Sequence, residues 1–127
     1  MKNGVYNINL FFPTELLIAI KLKLSKKYFI HYSKHYQYKC RQLRLPYGVC
    51  RMALYGDVTE VEIENGEIKK ILTRVKSEQY KDYLCFVVMF TKNKHNKDVA
   101  FVKTVWINNY NDNHDTIKKE NYICKNT

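Results

Sequence analysis

Proline and glycine are scarce, with two prolines and four glycines among 127 residues. The sequence also lacks an internal repeat and any linker rich in proline, glycine or serine. These absences exclude a repeat protein and leave no candidate boundary between domains. We therefore predict a single domain over residues 1–127, in which the 46% of hydrophobic residues suffices to form a buried core.

Apolar runs long enough to span a bilayer are also missing. The run at residues 16–24 is interrupted by Lys21 and Lys23 and is too short to span a bilayer. No cleavable secretory signal is evident, so we expect a cytoplasmic protein with no membrane partner. The alternative use of residues 16–27 is a basic amphipathic attachment to an anionic membrane.

The cysteines lack the spacing of a zinc site. No pair is arranged as CxxC, and no third ligand accompanies the histidine pair His31 and His35. This pattern predicts reduced thiols, no bound metal and no other cofactor. The cysteines are Cys40, Cys50, Cys85 and Cys124.

Acidic residues are absent between Glu15 and Asp57. Nine lysines and arginines lie in this stretch, and the whole chain carries a formal charge of +10. Six tyrosines are interleaved among these cations. Because lysine and arginine bind phosphates while aromatic rings stack on unpaired bases, the stretch predicts a polyanionic partner, RNA above all.

Residues 16–28 show two periodicities at once. Their apolar side chains recur on one helical stripe, and they also alternate with polar ones as in a strand. We favour a helix that begins at Glu15, with Thr14 as its N-cap.

A strand and two helices are predicted next. Residues 28–32 form the strand, and Ser33 is the expected N-cap of a helix over residues 34–44. The second helix covers residues 46–55, because proline is favoured at the first helical position. Gly56 then supplies a left-handed C-terminal stop.

The dipeptide Asn65-Gly66 predicts a β-hairpin, since both residues of its turn need positive φ. A two-residue turn sets Glu62 opposite Lys69, which is a complementary charge pair across the two strands. The same register places two long cations on the apolar face of the hairpin. These cations are Lys70 and Arg74.

Two further strands are predicted at residues 83–90 and 99–108. On the last strand Thr104, Trp106 and Asn108 share one face, as the wall of a site would. The predicted fold is α+β, with N-terminal helices packed on a four-stranded antiparallel sheet.

The sequence lacks a P-loop, a dinucleotide glycine motif, a GxSxG elbow and an HExxH zinc motif. Cleavage of RNA without metal needs a base for the 2′-OH, an acid for the leaving 5′-oxygen and cations for the phosphorane. Lys70 and Arg74 are candidates for these cations. The candidate bases are His31 and His35, and the candidate acids are His114 and Tyr122.

Four motifs follow one another along the chain. They are Ser33-x-His35 opening a helix, a proline-started helix ending at Gly56, a hairpin with Lys70 and Arg74, and a strand ending Thr104-x-Trp106-x-Asn108. This order resembles that of small phage and mobile-element proteins related to the RelE/barnase/EndoU-like superfamily of ribonuclease toxins. The resemblance covers residues 28–122, the expected core, with residues 1–27 as an N-terminal extension and residues 123–127 as a tail.

The resemblance implies helices followed by a four-stranded antiparallel sheet. It also implies a metal-independent ribonuclease that leaves a 2′,3′-cyclic phosphate and is neutralised by an immunity protein or antitoxin. By this resemblance, His35 matches the early helical histidine. Lys70 and Arg74 match the sheet-borne cations, and Thr104 matches the polar group of the last strand.

We thus predict a toxin-type ribonuclease that cuts RNA by 2′-OH attack. The alternative is a non-catalytic viral or mobile-element protein that binds and inhibits a host nuclease or defence complex. Catalysis requires His35, Lys70 and Arg74 to line one cleft. The predicted catalytic residues are His35, Lys70, Arg74 and His114, and the predicted RNA-binding residues are His31, Lys34, Lys39, Arg41, Arg44, Thr104, Trp106, Asn108 and Tyr122.

Overall fold

The structure is a computed structural model that describes residues 2–8, 13–79 and 82–108. Six strands, two α-helices and one 3-10 helix lie in these ranges. In chain order they are β1 (Gly4–Asn7), α1 (Thr14–Leu24), β2 (Phe29–Tyr32), α2 (Lys34–Leu43), the 3-10 helix (Tyr47–Met52), β3 (Asp57–Glu64), β4 (Glu67–Ser77), β5 (Asp82–Lys92) and β6 (Asp98–Asn108).

The strands form one mixed sheet in the order β1-β3-β4-β5-β6-β2. The α+β class is confirmed, but the prediction of four antiparallel strands is wrong. β3 to β6 are the predicted antiparallel meander, while β1 pairs with β3 at one edge and β2 runs parallel to β6 at the other. β1 has four residues, which is too short for a clear periodicity in the sequence. The strand predicted at residues 28–32 is present as β2, but its place in the sheet was not predicted.

The sheet has two unlike faces, which we call the helix face and the second face. The helix face carries the apolar core, in which Phe86, Val88 and Val102 pack against helical residues. On α1 the buried residues are Leu16 and Ile20, four positions apart, so the predicted helix is confirmed. Thr14 is not its N-cap as predicted, because the helix already begins at Thr14 and Pro13 holds the N-cap position without a side-chain hydrogen bond. No helix in the described ranges is long and apolar enough to cross a membrane.

Ser33 anchors α2 to the sheet. Its hydroxyl accepts a hydrogen bond from the Tyr36 backbone N–H at 2.9 Å and donates one to the Lys103 carbonyl at 2.7 Å. The predicted N-cap is therefore confirmed, and it is joined to β6 as well. The helix ends at Arg44, which adopts a left-handed φ of 57°.

The second predicted helix is shorter than expected and has 3-10 geometry, over Tyr47–Met52. The Thr73 hydroxyl donates a hydrogen bond of 2.5 Å to the carbonyl of Ala53, which follows the last residue of this helix and is thereby joined to β4. Gly56 is not the left-handed stop that was predicted, because its φ is not positive. Instead, a Cβ at Gly56 would lie 2.6 Å from the Arg74 carbonyl oxygen, so the close approach of β4 requires glycine.

The hairpin turn is confirmed, with φ of 53° at Asn65 and 77° at Gly66. The predicted pairing of Glu62 with Lys69 is wrong, because a register shift just after the turn sets Glu62 opposite Lys70. A shift of one residue exchanges the faces of a strand. It therefore moves two cations from the apolar face to the second face, and Ile71 points into the core instead. The two cations are Lys70 and Arg74.

Candidate nucleic-acid interface

The outer surface of α2 is basic and aromatic. The helix buries Tyr36 and Cys40 against the sheet, so the side chains between them point to solvent. The ring of Tyr32 on β2 lies 5.9 Å from that of Tyr47 on the 3-10 helix, and Arg41 on α2 donates to the Tyr47 hydroxyl, so the exposed side chains of these three elements adjoin one another. We call this surface the basic aromatic face, and its members include Tyr32, Lys34, His35, Tyr38, Arg41, Arg44 and Tyr47.

Buried contacts hold the rings of this face in place. The Tyr36 hydroxyl donates a hydrogen bond of 2.6 Å to the Tyr47 carbonyl, which joins α2 to the 3-10 helix. Burial raises the pKa of Tyr36, so this hydroxyl remains a donor at any ordinary pH. The ring of Tyr32 lies 5.1 Å from that of Tyr36 and 5.9 Å from that of Tyr47, so three rings support one another.

Several outer rings remain available to a ligand. Tyr38 is 50% exposed, and its hydroxyl accepts a hydrogen bond from the Gln42 amide at 2.9 Å. Tyr47 is 37% exposed, and its hydroxyl accepts one from the Arg41 guanidinium at 2.8 Å. A guanidinium beside a ring offers a phosphate contact next to a stacking platform.

The charge of this region has one sign. Residues 25–55 contain seven lysines and arginines and no aspartate or glutamate. Asp98 lies beside this stretch and accepts a hydrogen bond of 2.8 Å from the Lys92 amine. That hydrogen bond, together with the positive charges of Lys26 and Lys23, lowers the pKa of Asp98.

The second face carries a different set of polar groups. Lys70 lies in register with Met89, Phe101 and His31 across three strands, and its amine is 3.9 Å from the Glu62 carboxylate. Glu60 is fully buried on the same face. The guanidinium of Arg74 is 4.1 Å from the centre of the Tyr83 ring. Arg74 is paired with Cys85 across the sheet, and Cys85 is paired in turn with Trp106. This face therefore combines two carboxylates, two cations and aromatic rings.

The structure divides the predicted site residues between the two sides of the sheet. His35, Lys34, Arg41 and Arg44 are exposed on the basic aromatic face, and Lys39 is partly exposed there. The other predicted site residues within the described ranges lie on the second face. They are His31, Lys70, Arg74, Thr104, Trp106 and Asn108.

The sheet separates His35 from Lys70 and Arg74, so these three residues do not line one cleft. The shared face of Thr104, Trp106 and Asn108 is as predicted. His114 and Tyr122 lie outside the described residues. In the part of the chain that is described, no three histidine, cysteine, aspartate or glutamate side chains cluster closely enough to hold a metal ion.

Several residues of both surfaces were not predicted as site residues from the sequence. Glu60 and Glu62 belong to the alternating run of β3, and both are buried. Lys26, Arg51 and Tyr55 form a groove beside the basic aromatic face. Their charge and aromatic character were visible in the sequence, but their proximity depends on the packing of α1 and the 3-10 helix.

Comparisons with protein-family models, with curated proteins and with solved structures found no match. The function is therefore inferred from the two surfaces themselves.

Proposed function

We propose that this protein binds single-stranded RNA through the basic aromatic face. The observation that carries the proposal is the run of seven cations without an acid over residues 25–55, folded around exposed tyrosine rings. Cations neutralise phosphates, and they release the counterions of the nucleic acid. Exposed rings stack on bases, at about 1–3 kcal/mol per base.

The exposed rings favour an unpaired strand over a duplex. The rings of Tyr38 and Tyr47 are exposed to solvent and can stack on an unpaired base. The bases of a duplex are already stacked on each other and do not offer a free face to these rings. A duplex would offer phosphates to Lys34 and Arg41 but no free base to the tyrosines. We therefore expect tighter binding to single strands than to double strands of equal length.

A titration of fluorescently labelled single-stranded RNA tests this proposal. We expect anisotropy to report binding at low salt, and the logarithm of the affinity to fall linearly with the logarithm of the salt concentration. Four phosphate contacts would give a slope of about −3 for a single strand. Absence of binding at about 50 mM salt, or a slope near zero, would contradict RNA binding. Co-sedimentation with anionic vesicles but not with RNA would favour membrane attachment.

The second face favours a second candidate function, metal-independent cleavage of RNA. The observation in its favour is that Lys70, Arg74 and Thr104 share one face with a carboxylate, Glu62, 3.9 Å from the lysine amine. In this proposal Glu62 takes the place of His35 as the base for the 2′-OH proton. Lys70 and Arg74 stabilise the phosphorane charge, and the leaving 5′-oxygen takes a proton from solvent water as its bond to phosphorus breaks.

The exposed edge at β2 offers a route between the two surfaces. His31 is exposed on β2 and lies on the second face, three strands from Lys70. Strands in a sheet are about 4.8 Å apart, so the two residues are separated by roughly 14 Å. An RNA chain that is bound to α2 and continues around the β2 edge of the sheet would contact His31 before it reaches Lys70.

Replacement of Lys70 and Arg74 by glutamine tests this second candidate. We expect the Lys70→Gln/Arg74→Gln variant to lose cleavage of total tRNA in EDTA by about 100-fold or more, because the charge of the phosphorane is no longer neutralised. RNA binding by the basic aromatic face should be retained. The matched control is Lys69→Gln, which removes a charge next to Lys70, and thermal unfolding should verify that each variant folds.

Intact RNA with the wild-type protein would contradict catalysis. RNA binding without cleavage would instead favour the non-catalytic alternative, in which the protein inhibits a host nuclease or defence complex by competing for nucleic acid.

A further inference from the structure

A groove of about 620 Å³ lies between the end of α1 and the 3-10 helix. Its volume falls within the range of about 300–1,000 Å³ that is typical of sites for small molecules. Lys26, Lys27 and Arg51 contribute positive charge, and none of the described residues that line the groove is acidic. Ile30 forms part of an apolar floor, and Tyr28 and Tyr55 supply aromatic rings.

One wall of the groove is held by several contacts. The Tyr28 hydroxyl donates a hydrogen bond to the Lys23 carbonyl at 2.7 Å, and its ring packs 5.1 Å from that of Phe90. Burial raises the pKa of Tyr28 to about 12, so the hydroxyl remains a donor at neutral pH. The Ser25 hydroxyl donates to the Leu22 carbonyl at 2.7 Å and so ties down the chain just before Lys26.

The other wall presents an open ring. Tyr55 is 87% exposed, the largest value among the exposed large hydrophobic side chains of the described residues. Its backbone N–H donates to the Met52 carbonyl at 3.0 Å, which fixes the position of the residue at the end of the 3-10 helix. An exposed tyrosine beside three cations offers a stacking surface and an anion site within one groove.

We propose that this groove holds one unpaired nucleotide. The phosphate lies between Lys26, Lys27 and Arg51, and the base stacks on Tyr55. The inference deepens the proposed RNA binding and rests on it, because the groove adjoins the basic aromatic face through Arg51 and β2. It adds a defined site for a single nucleotide to a surface that otherwise follows a phosphate chain.

Titration of the ¹⁵N-labelled protein with uridine monophosphate tests the groove, and separate titrations use uridine and inorganic phosphate. We expect uridine monophosphate to shift the backbone resonances of residues 26–30 and 51–55 and to bind more tightly than uridine or inorganic phosphate. Tyr55→Ala should weaken its binding roughly fivefold or more, through loss of stacking, and leave inorganic phosphate unchanged. Arg51→Gln should weaken both. Ile18→Ala removes a side chain that is 53% exposed on α1 and does not line the groove, so it is the control and should weaken neither.

Two results would overturn the inference. Resonance shifts outside residues 26–30 and 51–55 would exclude binding in the groove. If inorganic phosphate and uridine monophosphate bind equally tightly, and Tyr55→Ala changes neither affinity, the groove is an anion site and not a nucleotide site. If RNA binds while uridine monophosphate avoids the groove, the nucleotide site fails and RNA binding stands. If uridine monophosphate binds there while RNA does not bind, the proposed function fails and the nucleotide site stands.

Discussion

Replacement of Lys34 and Arg41 by glutamine should weaken the binding of single-stranded RNA roughly tenfold near 0.1 M salt. Both side chains are exposed on α2, within a stretch of sequence that contains no acidic residue. Each lost phosphate contact reduces the salt slope for a single strand by about 0.7, so the double variant should have a slope smaller by about 1.4. Fluorescence anisotropy at several salt concentrations measures both effects.

The control for this experiment is Lys2→Gln/Lys94→Gln. It removes the same charge from two exposed sites beyond α2, one beside β1 and one in the β5–β6 turn. Its affinity and slope should remain close to those of the wild type. Equal losses in the two variants would show that net charge alone attracts RNA, and the basic aromatic face would then have no special role. Because Arg41 donates to the Tyr47 hydroxyl, thermal unfolding should accompany the binding data.

Substitution of Tyr36 by alanine should lower the free energy of unfolding by about 3–5 kcal/mol, the usual cost of removing a buried aromatic side chain. Tyr36 is fully buried, contacts the ring of Tyr32 and bonds the Tyr47 carbonyl. Its loss opens a cavity between α2 and the sheet and also frees the 3-10 helix. Urea denaturation measures the change.

Tyr38→Ala is the matched control, since the same side chain is removed two residues later from a position that is 50% exposed. We expect it to change the free energy of unfolding by less than about 1 kcal/mol. Tyr36→Phe should cost about 1–3 kcal/mol, because the Tyr47 carbonyl loses its buried partner. If Tyr36→Ala were no more destabilising than Tyr38→Ala, the described packing of α2 would be wrong.

Local signals in the sequence predicted several elements well. Ser33 marks the start of α2 through its own hydrogen bond to Tyr36, and Asn65-Gly66 marks a turn through its positive φ values. Both signals depend on residues that lie close together in the chain. The nearly continuous apolar run of β5 likewise predicts a central strand, and consecutive residues from Leu84 to Val88 are buried on both of its faces.

Long-range pairing was harder to predict. The parallel pairing of β2 with β6 joins residues 29–32 to residues 99–102, and no local pattern reports it. The register shift after the hairpin turn is also a product of packing. It lets Ile71 enter the core while Lys70 reaches Glu62, which an unshifted ladder does not allow.

The candidate site was predicted in part. Lys34 and Arg41 were identified as binding residues from the sequence alone, because a run of cations without acidic residues can be recognised without knowledge of the fold. The distance between His35 and Lys70 depends on which side of the sheet α2 covers. This is decided by burial of Tyr36 and Cys40 against the helix face, and it separates the two residues.

Photochemical cross-linking tests the central claim most directly. RNA that carries 4-thiouridine is bound to the full chain and irradiated, and the adducts are located by mass spectrometry of the peptides. RNA binding at the basic aromatic face predicts adducts within residues 28–55, at tyrosines such as Tyr38 and Tyr47. Adducts confined to the β3–β4 hairpin, or no adducts under conditions in which RNA is bound, would contradict it.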